Sequence, residues 1–562
     1  MDWIRELFKS APEAALFISI AIGYLIGKIK IGFFQLGSVA GTLLAAVFVG
    51  QLHVTLSPQV KAVCFGLFIF SVGYKSGPQF FASLNRASVK PILLSIVVCV
   101  TGLLGVYAAA KIFALDVGTA AGVLAGACTE SASIGTAGEA IARLGLPVEE
   151  VTRLQNNIAV GYAMTYLFGT LAVILFVRSI APKLLGIDLK QSAKEYEEAN
   201  QGGEPKGSGG VEYMPVAIRG YRVTKTSAGA GAKVGDVVRA LGEGVEVGRV
   251  IRMGEELDVT PALVLQPGDT VGVSGLRSRL ARGDDVIGPE VGDPRVLTDV
   301  VDVADVVLTN KQFAGKTLYE IAQEIDPDAR RGVYLQRVER AGRRLPRAWS
   351  TRIERGDVLR LVGWREKLPG AVAVLGYEER ATDKTDLVYL AIGIVLGTML
   401  GLLAPKVGGV PLTLGTGGGI LVAGLVFGWL RSRTRRFGAF PTAAQSILCD
   451  FGLAAFVGVV GLTAGPQMVS SIQANGPGLV LIGIGVATLP QIVGFFFGRY
   501  VLGLHPLVLL GGLAGSQTVT AALNAVLEEA DSSAPVVGYT VTYAIGNVLL
   551  TLWGPIIVAM LV

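Results

Sequence analysis

The sequence predicts a polytopic α-helical membrane protein: two inverted repeats of about five transmembrane helices plus a re-entrant hairpin each, with a cytoplasmic α/β insert of two tandem small domains. Three observations carry this reading. The 562 residues are 51% hydrophobic and 17% charged, with 75 glycines and a mean hydropathy of +0.56, which is too apolar for a soluble chain of this length. Ten runs approach the roughly 20 apolar residues that span a bilayer core, and none falls between residues 179 and 384. Finally, the chain repeats itself.

The apolar runs lie near 12–29, 34–52, 60–76, 90–113 and 155–178, then 385–404, 411–430, 444–463, 477–498 and 534–561. The first is not expected to be a removable signal peptide, because no small-residue cleavage site followed by a soluble domain appears. Cys64, Cys99, Cys128 and Cys449 all sit in apolar segments at no metal-ligand spacing, and there are two histidines. No disulfide, metal site or cofactor is expected.

Four pairs of segments recur in the same order. "LGSVAGTLLAAVFVG" at 36–50 matches "LGTGGGILVAGLVFG" at 414–428, and "GYKSGPQ" at 73–79 matches "GLTAGPQ" at 461–467. "AGVLAGACT" at 121–129 matches "LGGLAGSQT" at 510–518, and "VGYAMTYLFG" at 160–169 matches "VGYTVTYAIG" at 537–546. One glycine-rich match says little, since membrane helices use small residues for close packing. Four ordered matches at offsets of 378, 388, 389 and 377 indicate a duplicated membrane unit.

Lys and Arg placement sets the orientation. The insert opens with Arg178, Lys183 and Lys190 and is read as cytoplasmic. If 118–138 crossed fully, the loops carrying Lys28 and Lys30, and Arg86 and Lys90, would fall outside. As a re-entrant hairpin it leaves both loops inside and the Lys/Arg-free loop near 53–59 outside. Treating 507–526 as a hairpin likewise puts "RSRTRR" at 431–436 and Arg499 inside, with an external loop at 464–476. Five crossings on each side of a cytoplasmic insert make the halves inverted.

The insert is itself doubled. "RVIRMGEEL" at 249–257 resembles "QRVERAGRRL" at 336–345, and Arg252/Arg340, Gly268/Gly356 and Gly275/Gly363 share an offset of 88. Alternating stretches such as "DVLRLVG" bounded by Gly-Asp turns predict strands. The expected organisation is membrane repeat 1 over 1–178, a linker over 179–210, small domains over 211–290 and 291–377, and membrane repeat 2 over 378–562. Within the linker, 197–210 reads as flexible.

The membrane halves, with "GYKSGPQFF", the "AGACTESASIG" hairpin and the duplicated "GYxxTY", resemble the aspartate:alanine exchanger family of bacterial inner-membrane antiporters. The insert resembles a pair of TrkA-C type domains, the C-terminal domains of potassium-conductance regulators. The resemblance covers nearly the whole chain. It implies a multi-pass inner-membrane antiporter, a homodimer in the lipid bilayer, whose small-molecule substrate is an amino acid or dicarboxylate. L-aspartate uptake against L-alanine release is the type case, and succinate-type dicarboxylate export is the alternative within the family. The TrkA-C-like pair lacks the Rossmann partner that carries nucleotide, so it is expected to bind a small effector or dimerise without NAD, or else to serve as a passive scaffold. No nucleic-acid partner is expected.

Paired hairpins bring backbone N–H groups and helix N-termini together, which can bind a carboxylate without a formal positive charge. The candidate substrate-binding residues are Thr129, Glu130, Ser131 and Ser133 in the first hairpin and Ser516, Gln517, Thr518 and Thr520 in the second. Each hydroxyl could instead back-bond to a helix carbonyl. Glu130 is the only charged residue between Val117 and Gly138, and its counterpart is Val519. It could meet a substrate ammonium, carry a coupling proton or cation, or lie in water at a hairpin tip. Tyr162 and Tyr539, with Thr165, Tyr166, Thr542 and Tyr543, share helix faces that pack on the hairpins or touch substrate.

Lys75 could attract an anionic substrate or snorkel to the interface. Gly77–Pro78 and Gly465–Pro466 are expected to end helices, and Asn156 and Asn157 to cap one. The "VGY" before Lys75 echoes a potassium filter, but a lysine beside a filter would repel the ion. The insert has no GxGxxG after a strand, no Walker lysine motif and no GxSxG, so neither an enzyme nor ATP-driven transport is expected.

Overall fold

A computed structural model of the chain describes residues 6–8, 10–31, 34–35, 37–54, 56–84, 88–200, 216–242, 245–297, 301–326, 332–340, 343–345, 349–378, 384–403, 406–407, 410–411, 414–433 and 437–562. It divides into a unit of Met1–Tyr196 with Ala381–Val562, and a second of Glu197–Arg380.

In the first unit the helices of the two halves answer one another. The first half has α1 (Pro12–Gly27), α2 (Ser38–Gly50), α3 (Pro58–Ser83) and α4 (Val89–Ile112), then the short pair α5 (Val117–Ala127) and α6 (Ala132–Ala142), then α7 (Val148–Leu175). The second has α8 (Leu387–Leu402), α9 (Gly415–Arg433) and α10 (Thr442–Phe496), the short pair α11 (Pro506–Ser516) and α12 (Thr520–Ala530), and α13 (Pro535–Leu561). Among the described residues, six helical stretches are long and apolar enough to cross a membrane: Pro58–Phe81, Val89–Ile112, Val148–Leu185, Thr442–Pro466, Gly476–Val501 and Pro535–Leu561. Pro12–Gly27, Ser38–Gly50 and Leu387–Leu402 are apolar but shorter.

The hairpin reading of 118–138 and 507–526 has a simple metric basis. Each arm has 11 residues and so spans roughly 16 Å at 1.5 Å per residue, about half of a 30 Å hydrocarbon core. Asp116 starts α5 by accepting from Gly118 N and Thr119 N at 3.0 and 3.1 Å, and His505 starts α11 through Leu507 N at 3.3 Å. The first arms pack on their own half. A side chain at Gly122 would collide with Ile158 O, and one at Gly511 with Pro535 O, so these backbones touch as small-residue membrane packing allows. The second arms cross over, α6 against α13 and α12 against α7.

Four expectations change. Pro78 lies inside α3 and Pro466 inside α10 rather than ending them. The adjoining glycines press on backbone carbonyls of neighbouring helices, Gly77 on Leu425 O and Gly465 on Val47 O, and such packing supports an interior proline in a membrane helix. Residues 464–476, expected as an external loop, are helical throughout α10. Asn156 and Asn157 are not caps, because α7 begins at Val148 with Glu149 and Glu150 in its first turn; the charged turn hid the true start from a hydropathy reading. Asn157 Nδ2 instead donates to Asp116 Oδ2 at 3.1 Å. The expected linker is helical as far as Asn200, and residues 201–210, like Arg86 and 434–436 of the basic run, lie outside the described residues.

The second unit contains two five-stranded antiparallel sheets of identical order. In the first, β1 (Val216–Arg222), β2 (Glu246–Arg252), β3 (Glu255–Leu257), β4 (Thr270–Leu276) and β5 (Glu290–Val291) lie as β3-β2-β4-β1-β5. In the second, β6 (Val301–Leu308), β7 (Val333–Arg340), β8 (Arg343–Arg344), β9 (Val358–Trp364) and β10 (Gly376–Glu378) lie as β8-β7-β9-β6-β10. The 88-residue echo is a repeated ion pair. Arg252 grips Asp269 through Nε and Nη2, both at 2.8 Å, and Arg340 grips Asp357 likewise at 2.7 Å.

Candidate functional site

The hairpin tips meet. Each turns on a threonine with positive φ, Thr129 at 55° and Thr518 at 57°, a conformation that costs a β-branched residue energy and is kept where surrounding contacts hold it. Thr129 Oγ1 donates to Gln517 O at 2.7 Å and lies 3.4 Å from Thr518 Oγ1, which in turn reaches Thr129 O at 3.4 Å. Each tip thus donates a hydroxyl to a backbone carbonyl of the other.

A second pair repeats across the duplication. Ser131 Oγ and Tyr162 Oη are 2.7 Å apart, and Thr520 Oγ1 and Tyr539 Oη 2.8 Å. Each tyrosine thus fixes the start of its own half's second arm, and each packs on the tyrosine one turn later, Tyr162 tilted against Tyr166 and Tyr539 stacked on Tyr543, with centroids at 5.1 and 5.2 Å. Ser133 Oγ crosses to the other half and donates to Leu550 O at 2.6 Å. Ser516 behaves as the plainer alternative foresaw, back-bonding to Gly512 O at 2.8 Å.

Glu130 is buried, 5% exposed, and its Oε1 accepts from Ala132 N at 3.2 Å. A solvated hairpin tip is not what the structure shows. Neither hairpin carries a Lys or Arg between residues 117 and 142 or between 506 and 530, so the polar groups at the two tips, residues 129–133 and 516–520, are hydroxyls, an amide, helix ends and the Glu130 carboxylate. Backbone ends and hydroxyls of this kind can hold a small polar molecule, and one acidic group stands beside them at the first tip.

Gln517 is used differently from expectation. Its Oε1 accepts from Gln491 Nε2 at 2.6 Å and its Nε2 donates to Ala487 O at 3.3 Å, so its side chain docks the second tip on α10. Lys75 is not brought to the tips: it is exposed on α3, roughly 15 Å along the helix from Phe65, which packs on Gly135 of the first hairpin.

Gln491 escaped the sequence reading, although it is the only amide or charged side chain within the apolar run 477–498. That isolation was the available signal. Glu139 was missed as well. Its carboxylate receives Thr416 Oγ1 and, at 3.1 Å, Gly417 N, so it seals the N-terminus of α9 from the opposite half.

The chain matches the family described as Predicted Permease Membrane Region (Asp-Al_Ex) over residues 15–182 and 389–559, the two membrane halves without the insert. It is 41% identical to an uncharacterized transporter of Bradyrhizobium diazoefficiens over all of this chain and 99% of the relative. An uncharacterized transporter of Zymomonas mobilis is also 41% identical, with the same coverage, and one of Shewanella oneidensis is 37% identical over the whole of both chains. No solved structure matches it.

Proposed function

This chain belongs to the predicted permease membrane region family, and from that premise we propose that it is a secondary transporter exchanging small amino acids or carboxylates by alternating access, most simply as an L-aspartate:L-alanine type antiporter. The observation that carries the reading is the reciprocal contact of Thr129 and Thr518 at two broken-helix tips. Broken helices facing each other across an inverted repeat are how gradient-driven transporters form a central site that each half can open in turn. Absence of basic side chains from both hairpins suits a carboxylate held by helix ends and hydroxyls. The buried Glu130 favours a substrate that also carries an ammonium, because an ammonium in a low-dielectric site needs an acidic or multiple-acceptor partner.

The same proposal places the insert on the cytoplasmic side, where it regulates or dimerises the transporter. Counterflow in proteoliposomes is the test. Labelled aspartate should enter only when aspartate or alanine is loaded inside. Entry into empty vesicles, a conductance, or no movement with any amino acid or dicarboxylate would defeat the reading; exchange confined to succinate would select the dicarboxylate alternative.

A further inference from the structure

Helices α2 and α9 start alike. Gly37 and Gly415, related by the 378-residue offset, both stand at positive φ, 83° and 70°, and neither has a side chain with which to cap the helix that follows. The N-terminus of α9 takes its cap from the other half, where Glu139 on α6 accepts from Thr416 Oγ1 and Gly417 N. The same offset gives α2 the equivalent donors, Ser38 Oγ and Val39 N, and the hairpin offset of 389 gives α12 the equivalent carboxylate, Glu528. That hairpin register holds beyond the tips, since it also matches Ser131 with Thr520, each on its own tyrosine.

The second contact is not made in this structure. In the first half, α6 packs on α9, and on α3 where Gly135 meets Phe65, so that Ser131, Ala132 and Gly135 are buried. The equivalent stripe of the second half, Thr520, Ala521 and Asn524, is exposed together with Glu528, and α12 packs on α7, α11 and α13 rather than on α2. An amide and a carboxylate turned to lipid would be costly, so this stripe faces water. Equivalent positions thus stand in two arrangements, one sealed and one open.

We propose that Glu139 and Glu528 are alternating latches: Glu139 closes one face of the membrane unit here by capping α9, and in the opposite state Glu528 closes the other face by capping α2 at Ser38 and Val39 while Glu139 lets go. A carboxylate is well placed at either helix N-terminus, whose unpaired N–H groups and dipole favour negative charge. Inverted repeats supply the second state without new parts, because each half takes up the arrangement that the other now has. The stripe of Thr520, Asn524 and Glu528 is then the wall of the open path to the hairpin tips, and on the orientation proposed above that path leads to the cytoplasm. This alternation rests on the transporter reading and names the residues that would carry it.

Full-length protein carrying Ser38→Cys with Glu528→Cys, oxidised with copper phenanthroline, tests the contact that the structure lacks. Thr416→Cys with Glu139→Cys, at positions already in contact, is the control. Mass spectrometry should find a disulfide in both, and adding Glu139→Gln to the first pair should speed its disulfide roughly tenfold, the population shift expected when a charged hydrogen bond is lost. Hydrogen exchange gives a readout that needs no cysteine. Glu139→Gln should raise exchange in α6 and lower it in α12, whereas Glu528→Gln should leave both as in wild type. A control disulfide with none between positions 38 and 528, or one whose rate ignores Glu139→Gln, overturns the proposal. So does faster exchange in α6 without protection of α12, which would make Glu139 a static cap. Counterflow keeps the two ideas apart: latch disulfides that respond to Glu139→Gln without any exchange sink the transporter reading and leave the latches standing, and exchange without the second latch does the reverse.

Discussion

Thr129 on the first hairpin donates to the carbonyl of Gln517 on the second, at 2.7 Å, so each half's tip holds the other's in place. Thr129→Val keeps the shape and removes the donor. The net hydrogen bond is worth about 0.5–1.5 kcal/mol, so the melting temperature should fall only slightly. Counterflow should fall at least tenfold, because register between the tips is lost, and Thr129→Ser should restore most of it. Equal activity of the valine and wild-type proteins would show that the tips do not act as a pair.

Tyr162 and Tyr539 fix the second arms through Ser131 and Thr520. Tyr162→Phe leaves a fully buried pocket intact but orphans a buried serine, at a cost of about 1–3 kcal/mol. Thr520 is more exposed than Ser131 and can take water instead, so Tyr539→Phe should cost less. Chemical denaturation of the two variants side by side checks the order. A reversed order would mean that the tyrosines act through substrate rather than through the arms.

Much of this was legible because duplication and charge placement act over the whole chain. The hairpins at 118–138 and 507–526 followed from Lys and Arg alone, and Thr129 and Thr518 from the match of "AGVLAGACT" at 121–129 with "LGGLAGSQT" at 510–518. What was hidden depends on contacts between distant segments. No local pattern shows that Gln517 would spend its amide on Gln491, or that Glu139 would seal α9 across the duplication. Pro78 misled for a related reason: a proline ends a helix when its neighbours are water, but α3 continues because adjoining helices pack against that turn.

Arg178 meets Glu529 of the second hairpin through Nη2 at 2.8 Å. With the side chains 26% and 44% exposed, the pair is worth about 0–1 kcal/mol. Glu529→Gln should therefore leave the melting temperature within a degree or two. The pair nonetheless joins α12 to the far end of the α7 run, so an effect on exchange rate without one on stability is expected. Charge reversal in both partners together should recover the wild-type rate, and a failure to recover would mean that the two residues act separately.

In the insert, Asp269 and Asp357 are 1% and 2% exposed, each gripped by an arginine and by a backbone N–H, Gln266 N at 2.7 Å and Glu354 N at 2.8 Å. Breaking a buried pair by removing one charge costs about 3–5 kcal/mol. Asp269→Asn and Asp357→Asn should each raise hydrogen exchange in their own sheet, β1–β5 or β6–β10, on the intact chain. The membrane helices should be unaffected. Loss of protection in both sheets from either substitution would show instead that the two small domains unfold as one.

Glu130 separates the possible substrates. It is buried, carries the only charge in its stretch of hairpin, and has no charged counterpart in the second half, where Val519 stands. If it meets a substrate ammonium, Glu130→Gln should weaken aspartate or alanine binding by roughly 2–5 kcal/mol, the range for truncating one partner of a buried pair. Succinate has no ammonium to lose and should bind no worse. If Glu130 instead carries a coupling proton, the variant should still exchange substrate for substrate but ignore an imposed pH gradient. Uptake by reconstituted wild-type and variant protein, with each substrate and with or without that gradient, distinguishes the outcomes. Unchanged behaviour under every condition would leave the carboxylate with its bond to Ala132 N as its whole role, that of a cap at the start of α6.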